Sequence, residues 1–409
     1  MVGNPALARD QDEGRHKVSS ILLSAPPAPK EDAVRCRSFR TAEGGGEHFL
    51  IIKVPADMEF RSQIDFTQTA YRKALKSLDL DPATAVFRRI FLSDILNQVE
   101  IVRQSDLVDT LTAISIVQQS PLTSSKIALL AYHVDSTRPV RKHRVSPEHI
   151  LVEKGRYRHL WSTQLCSCEV ETTTSPGAQT TEVFNNLVGT LKSFGATLRD
   201  HCIRTWIYIN GVDAFYGPVV DSRRKLFAEQ GLTNETHYIA STGIEGACSH
   251  RFDLVAMDAY SNLDLVPGQM SYLNDFGQLC PTKDYNVTFE RGTRIAYADR
   301  AHCFISGTAS IDRHGQVVHV GDVVGQLRRA LDNVNALLRA GSATLDDMMY
   351  LIIYLRDAHD TLRVESYLRR HLPFLPTLVV QGAVCRPAWL VEVEGIAITK
   401  NHAPSLLAF

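Results

Sequence analysis

The chain has 409 residues, with 44 basic and 45 acidic side chains and a formal net charge of −1. At roughly 150 residues per domain this length allows two or three domains, and the balanced charge leaves no electrostatic footprint for nucleic acid or an anionic membrane. No apolar run approaches the roughly 20 residues that span a bilayer, and the opening MVGNPALARDQDEGRHK lacks the apolar core of a signal peptide, so a cytoplasmic protein is expected.

Residues 1–45 are rich in Pro, Ala, Gly and charge (SAPPAPKED, AEGGGE). Such a composition buries no core, and a disordered N-terminal arm is expected. A first unit, 46–150, reads as helix FTQTAYRKALKSL, strand AVFRRIFL, an unpatterned stretch, and strands AISIVQQS and KIALLAYHV. A second, 151–270, reads as helix EVFNNLVGTLKSFG, strand CIRTWIYI, helix VVDSRRKLFAEQG, then THYIAS and FDLVAMDAY. The third, 271–409, begins with strands HCFISGTAS and QVVHV around IDRHG, whose Asp and Gly suit a hairpin turn. In QLRRALDNVNALLRAG, Leu327, Ala330, Leu331, Val334 and Leu337 share one helical face and Gly341 fits a C-cap. MMYLIIYL is a short buried strand, TLRVESYLRRHL a second amphipathic helix, and TLVVQGAV and WLVEVEGIAI two closing strands.

The order hairpin, α, β, α, β, β recurs three times at near-equal spacing, the first copy being the most worn. That repetition argues for triplication of one α/β (α+β) unit. The eight cysteines contain no CxxC pair and read as reduced thiols. Cys166 and Cys168 alternate on an expected strand without a second pair at zinc spacing, so no metal site is expected.

The words FISGTASI and VEVEGIA in the third copy resemble the YjgF/RidA (reactive-intermediate deaminase) family. That family has a small chorismate mutase-like fold and assembles as trimers with ligand clefts between subunits. Three tandem copies would then form an intramolecular pseudo-trimer. DHCIRTWIYINGVDAFYGPVVDSRRKLFAEQGL, HYIASTGIEG, LCPTKDYNVTFERGT, FISGTASI and VCRPAWLVEVEG, in that order, resemble the chorismatases and 3-hydroxybenzoate synthases. The first copy is expected to lack a counterpart in the shorter chorismatases.

Alternation in LVEVEGIA puts Glu392 and Glu394 on one face and Val391 and Val393 on the other. Aligning the closing strands sets Glu392 against Ala256 and Ala128, so only the third copy carries an acid there. The resemblance makes Glu392 the proton-handling carboxylate. Burial near Trp389 would have to raise its pKa from about 4.3 toward 6 or 7. A dicarboxylate substrate needs cations, and the matching strings offer Arg223, Arg291 and Arg386, each of which could equally be solvated. Tyr216 lies seven residues before Arg223, a spacing similar to the chorismatase pattern. Arg223 and Arg224 point about 100° apart on a helix, so one is expected inward.

Cys385 lies seven residues before Glu392, where the closing strands turn back. By resemblance it marks the 3-hydroxybenzoate-forming branch, whereas Ala309 resembles the diol-forming branch; an inert packing role for Cys385 stays open. Gly307 either exposes backbone N–H groups to the substrate or makes a tight bend. The resemblance therefore implies a chorismatase-like lyase or hydrolase that splits the enolpyruvyl ether of chorismate, with no cofactor. The implied partners are a small molecule and no nucleic acid or membrane, in a monomer or homodimer. Two other readings stay open. One is an imine or enamine deaminase, which would need an arginine near Leu378. The other is a non-catalytic ligand-binding protein.

Overall fold

The computed structural model describes residues 33–41, 44–55, 58–122, 125–167, 175–285 and 287–409. The first unit comprises β1 (Val34–Arg40), β2 (Gly46–Lys53), α1 (Phe60–Leu78), β3 (Ala85–Leu92), α2 (Ile95–Arg103), β4 (Ala113–Gln118) and β5 (Ile127–Asp135). The second comprises β6 (Val140–Arg144), β7 (His149–Lys154), β8 (Tyr157–Leu165), α3 (Pro176–Ser193), α4 (Leu198–His201), β9 (Cys202–Ile209), α5 (Val212–Glu229), β10 (Ala240–Glu245) and β11 (Val255–Asn262). The third comprises β12 (Met270–Tyr272), β13 (Gly292–Ala296), β14 (Arg300–Ala309), α6 (Val323–Ala340), β15 (Met348–Leu355), α7 (Thr361–His371), β16 (Thr377–Gln381) and β17 (Val391–Lys400).

The triplication is visible in the sheets. Their strand orders contain the same four-strand core: β2-β5-β3-β4, β8-β11-β9-β10 and β14-β17-β15-β16. In each core the last pair is parallel, as a helical crossover requires, and the rest is antiparallel. The registers agree to the residue: Ile127 pairs with Leu92, Val255 with Ile209 and Val391 with Leu355.

Each sheet buries its outer face under its own helices. In α6, Leu327, Ala330, Leu331, Val334 and Leu337 are all buried, Asp322 caps the first turn through the Gly325 N–H at 3.0 Å, and Gly341 is the C-cap. The inner faces meet one another through aromatic rings. Phe87 stacks on Trp161 (5.0 Å), Phe49 lies against Tyr350 (5.4 Å) and Tyr260 against Phe304 (5.4 Å), one contact for each pair of units.

Several expectations need correction. Val34–Arg40, assigned to a disordered arm ending at 45, pairs along β2 because its apolar partner Leu50–Ile52 offers an open strand edge; residues 1–32 lie outside the described part. The second sheet begins at Val140 rather than after 150, since the polar hairpin β6–β7 adds outer strands that carry little periodicity. The unpatterned stretch contains helix α2. QVVHV is no strand; β14 pairs with β13 and β17, and only an isolated Ile311–Val317 bridge remains.

Candidate active site

Where the edge of the second sheet meets the third, Ala240 bridges to Glu290 and Ile244 to Val384. Between these two contacts lies a cavity of about 310 Å³. Its wall contains Tyr216 and Arg223 from α5, Arg291 just before β13, Gly307 and Ala309 from β14, Cys385 and Arg386 from the β16–β17 loop, and Glu392 from β17. The eight residues singled out in the sequence therefore share one cleft, and it lies between units.

Glu392 is 5% exposed and pairs with Ala309 on one side and Tyr354 on the other. Burial pushes its pKa up to about 8, and the adjacent Glu394 adds to the shift, while Arg204 and Arg291 oppose it. Near neutral pH it is therefore mostly a neutral acid. Glu394, on the same face, is a different kind of carboxylate. It accepts from Trp206 Nε1 and the Tyr354 hydroxyl at 2.9 Å each, from Arg204 at 2.6 Å, from Arg89 at 3.4 Å, and from Thr242.

Gly307 sits at a bulge in β14, between Ile305 and Thr308. Its N–H is not offered to a ligand, as one sequence reading had it. It donates to Thr242 Oγ1 at 2.9 Å. The position needs glycine for another reason: a Cβ there would stand 2.8 Å from the Glu392 carboxyl carbon and 3.1 Å from Thr242 Cγ2.

The cations divide as helical geometry requires. Arg223 turns inward and is 3% exposed; its Nε donates to Thr288 Oγ1 at 3.0 Å, and its Nη2 is buried with no hydrogen-bond partner among the described residues. Arg224 is half-buried, pairs with Asp221 at 2.8 Å and, with it, also lines the cavity. Arg291 is buried and donates to the Cys280 carbonyl at 3.1 Å. Arg386 lies over the Trp389 ring, 4.8 Å from its centroid. A buried guanidinium nitrogen without an acceptor is costly, and an anionic ligand oxygen would remove that cost.

Cys385 is held as a neutral thiol. Burial pushes its pKa up to about 12 and nearby Glu392 adds to this, while a hydrogen bond with Tyr216 opposes it. The loop carrying it is fixed at several points. Gln326 accepts from the Leu390 N–H at 2.8 Å and donates to the Ala388 carbonyl at 2.9 Å, and Arg356 donates to the Val384 carbonyl. Arg356 also forks onto Asp213 at the start of α5, at 2.8 and 2.9 Å, tying the loop to the helix that carries Tyr216.

The other two junctions between units are larger, about 610 and 470 Å³, but their charges are engaged. Lys53 pairs with Glu365 in one; in the other Arg144 donates to the Thr110 and Pro147 carbonyls. Volume does not select the site; an acid and an unsatisfied cation do. At the equivalent bulge of the second unit Gln164 stands with φ 54°, and its side chain donates to the Ile116 carbonyl. Sequence reasoning missed Ser241, Gly243 and Phe289, which also line the cleft. All three lie within the strings HYIASTGIEG and LCPTKDYNVTFERGT, and at Gly243 a Cβ would meet the Tyr216 ring at 3.3 Å. Cys166 lies on the rim of a different junction, and Cys168 falls outside the described residues.

Comparison with known proteins agrees with this arrangement. Residues 294–399 match the Endoribonuclease L-PSP family. The chain is 26% identical over 240 residues to chorismatase of Streptomyces hygroscopicus, covering 53% of this chain and 66% of that protein. It is 30% identical over 116 residues to 3-hydroxybenzoate synthase of the same organism (26% and 34%), and 28% identical over 96 residues to 3-aminoacrylate deaminase RutC of Acinetobacter baylyi (23% and 76%). A crystal structure of chorismatase superposes with a TM-score of 0.59 at 19% identity, covering 89% of this chain and 98% of that one. Such coverage exceeds what the second and third units supply, so the first unit does have a counterpart in the chorismatase fold, contrary to expectation. Sequence divergence in the worn copy hides it.

Proposed function

We propose that this chain, a three-unit protein of the YjgF/RidA superfamily with the chorismatase fold, cleaves the enolpyruvyl ether of chorismate and releases pyruvate. The observation that carries this reading is a neutral buried acid, Glu392, facing the same small cleft as Arg223, Arg291 and Arg386.

Chorismate is a dianion, and guanidinium groups suit its two carboxylates. Glu392 donates its proton to the methylene carbon of the enol ether, and the double-bond electrons form the new C–H bond. The oxocarbenium ion left behind has two fates. Water can add, its proton passing to the Glu392 carboxylate, and the resulting hemiketal collapses to pyruvate and a dihydroxycyclohexadiene acid. Alternatively the ring rearranges and aromatises, giving pyruvate and 3-hydroxybenzoate without net uptake of water. A pKa near the working pH suits a group that acts first as acid and then as base. Cys385, beside Glu392 and neutral, shapes the space in which that water would sit.

An imine deaminase is the rival reading, and it needs an arginine on β16. Leu378 stands there, fully buried in the core. A non-catalytic binding protein would not need the pKa of Glu392 held close to neutral. Three units within one chain make a monomer or homodimer the fitting assembly. The free thiols among the described cysteines suit a reducing, cytoplasmic setting. No helix of the described residues is long and apolar enough to cross a membrane. Incubating the purified protein with chorismate and coupling pyruvate to lactate dehydrogenase tests the proposal.

A further inference from the structure

Four fully buried charges meet where the three inner faces converge behind Glu392. Arg204 and Asp258 come from the second unit, Glu394 from the third and Arg89 from the first. Arg89 alone joins the two acids, reaching Asp258 Oδ2 at 3.3 Å and Glu394 Oε1 at 3.4 Å. Asp258 also accepts from Ser115 at 2.6 Å and Tyr208 at 2.9 Å. Two guanidiniums and two carboxylates sum to zero charge.

The cluster is asymmetric in a way that packing alone does not require. At the register position of Arg89, opposite Leu130, the other units carry Trp206 opposite Asp258 and Ile352 opposite Glu394. A buried ion pair is weak evidence for stability, because apolar residues of similar volume commonly replace it at little or no cost. Glu394 lies two residues from Glu392 on the same strand face, so Glu394 and its partner Arg204 act directly on the proposed acid, and Arg89 and Asp258 set the charge around Glu394.

We infer that Arg89 is a positioning residue for the reaction proposed above: by neutralising Glu394 and Asp258 together, the first unit fixes the charge behind Glu392. The inference rests on that proposal for its catalytic meaning but not for its electrostatics. The groups that face the Glu392–Glu394 pair are accounted for by element. Arg89 comes from β3, Arg204 from β9, Asp258 from β11, and Tyr350 and Tyr354 from β15. On the cleft side stand Arg291, Cys385 and Arg386, with Tyr216 and Arg223 beyond them. Of these, Arg89 is the one cation supplied by the first unit.

The test uses full-length protein carrying ¹³C-labelled glutamate side chains. The Glu392 carboxyl resonance is identified by its loss in Glu392→Gln, and its titration is followed beside the pH profile of kcat for pyruvate release. Arg89→Met leaves a net negative charge behind Glu392 and should raise its titration midpoint by about one pH unit or more. Arg89→Met combined with Asp258→Asn restores neutrality and should return the midpoint to near the wild-type value. Should Arg89→Met not fold, Asp258→Asn alone must move the midpoint downward by a comparable amount. A midpoint that stays in place in a folded Arg89→Met or Asp258→Asn variant overturns the inference. Midpoints that move as stated while no variant, nor the wild type, releases pyruvate would leave the electrostatic role of Arg89 standing and sink the reaction instead.

Discussion

Gly307 and Glu392 share one volume: a methyl group on Gly307 would stand 2.8 Å from the carboxyl carbon of Glu392. Glycine at the β14 bulge thus leaves the acid its place. Gly307→Ala should displace Glu392 and lower pyruvate release by about 10²–10⁴-fold, the range that general acid–base catalysis contributes. The fold should persist, because the bulge is anchored by the Gly307 N–H to Thr242 hydrogen bond. Steady-state kinetics with a circular dichroism control check this; activity within tenfold of wild type would mean the carboxyl moves freely.

Holding Glu392 neutral has a stability consequence with a definite sign. Its folded pKa of about 8 lies above the ordinary 4.5, so the folded state binds the extra proton between these values. Stability from this group is full below about pH 4.5 and is lost as pH rises through 8. Glu392→Gln removes the titration. The variant should gain stability over wild type on going from pH 5 to pH 8.5, by on the order of a few kcal/mol. Denaturant melts at the two pH values decide; a difference that does not change with pH would place Glu392 in contact with water.

Arg223 has a buried guanidinium nitrogen waiting for an acceptor. Arg223→Lys keeps the charge but loses the fork, and kcat/KM for chorismate should fall by roughly 10–100-fold, in line with one charge-assisted hydrogen bond. Arg224→Lys, also on the cavity wall but with its charge already paired with Asp221, should change kcat/KM by less than about threefold. Equal effects at the two positions would remove Arg223 from substrate binding.

How much of this was legible depended on residue type. Strands β3, β9 and β15 were readable to the residue because their β-branched and aromatic residues dominate, β15 without a break and β3 and β9 around the buried Arg88–Arg89 and Arg204–Thr205 pairs. Glu392 and Glu394 were readable because alternation fixes their shared face. The edge hairpin β6–β7 and helix α2 were not, since half-exposed elements dilute the pattern. The roles of Glu392 and Glu394 could not be separated by spacing. What separates them is Arg89, Arg204, Trp206 and Thr242, side chains that come from two other units and are far away in sequence. Of the two readings for Gly307, the exposed N–H fails because that N–H donates to Thr242, and the bend stands as a bulge whose missing Cβ leaves room for Glu392.

Cys385 ties product to pocket shape. Water attack needs room beside the reacting carbon, and aromatisation needs that water excluded. With a neutral thiol there we expect 3-hydroxybenzoate as the main product, and Cys385→Val, also small and apolar, should shift the ratio toward the diol. Chromatography of the products reads this directly. A ratio unchanged in an active, folded variant would reduce Cys385 to packing.

Each pair of sheets already meets within a single chain, so further threefold association is not needed to form a cleft between units. Light scattering should report a monomer or dimer. A stable homotrimer would contradict the intramolecular arrangement.

The most direct measurement compares wild type with Glu392→Gln in the coupled pyruvate assay on chorismate. We predict pyruvate well above the spontaneous rate for wild type and a loss of about 10²–10⁴-fold for the variant, with chorismate binding retained by calorimetry. Pyruvate at the spontaneous rate from folded wild-type protein, or a variant within tenfold of it, would contradict the assignment of this cleft as a chorismate-cleaving site built on Glu392.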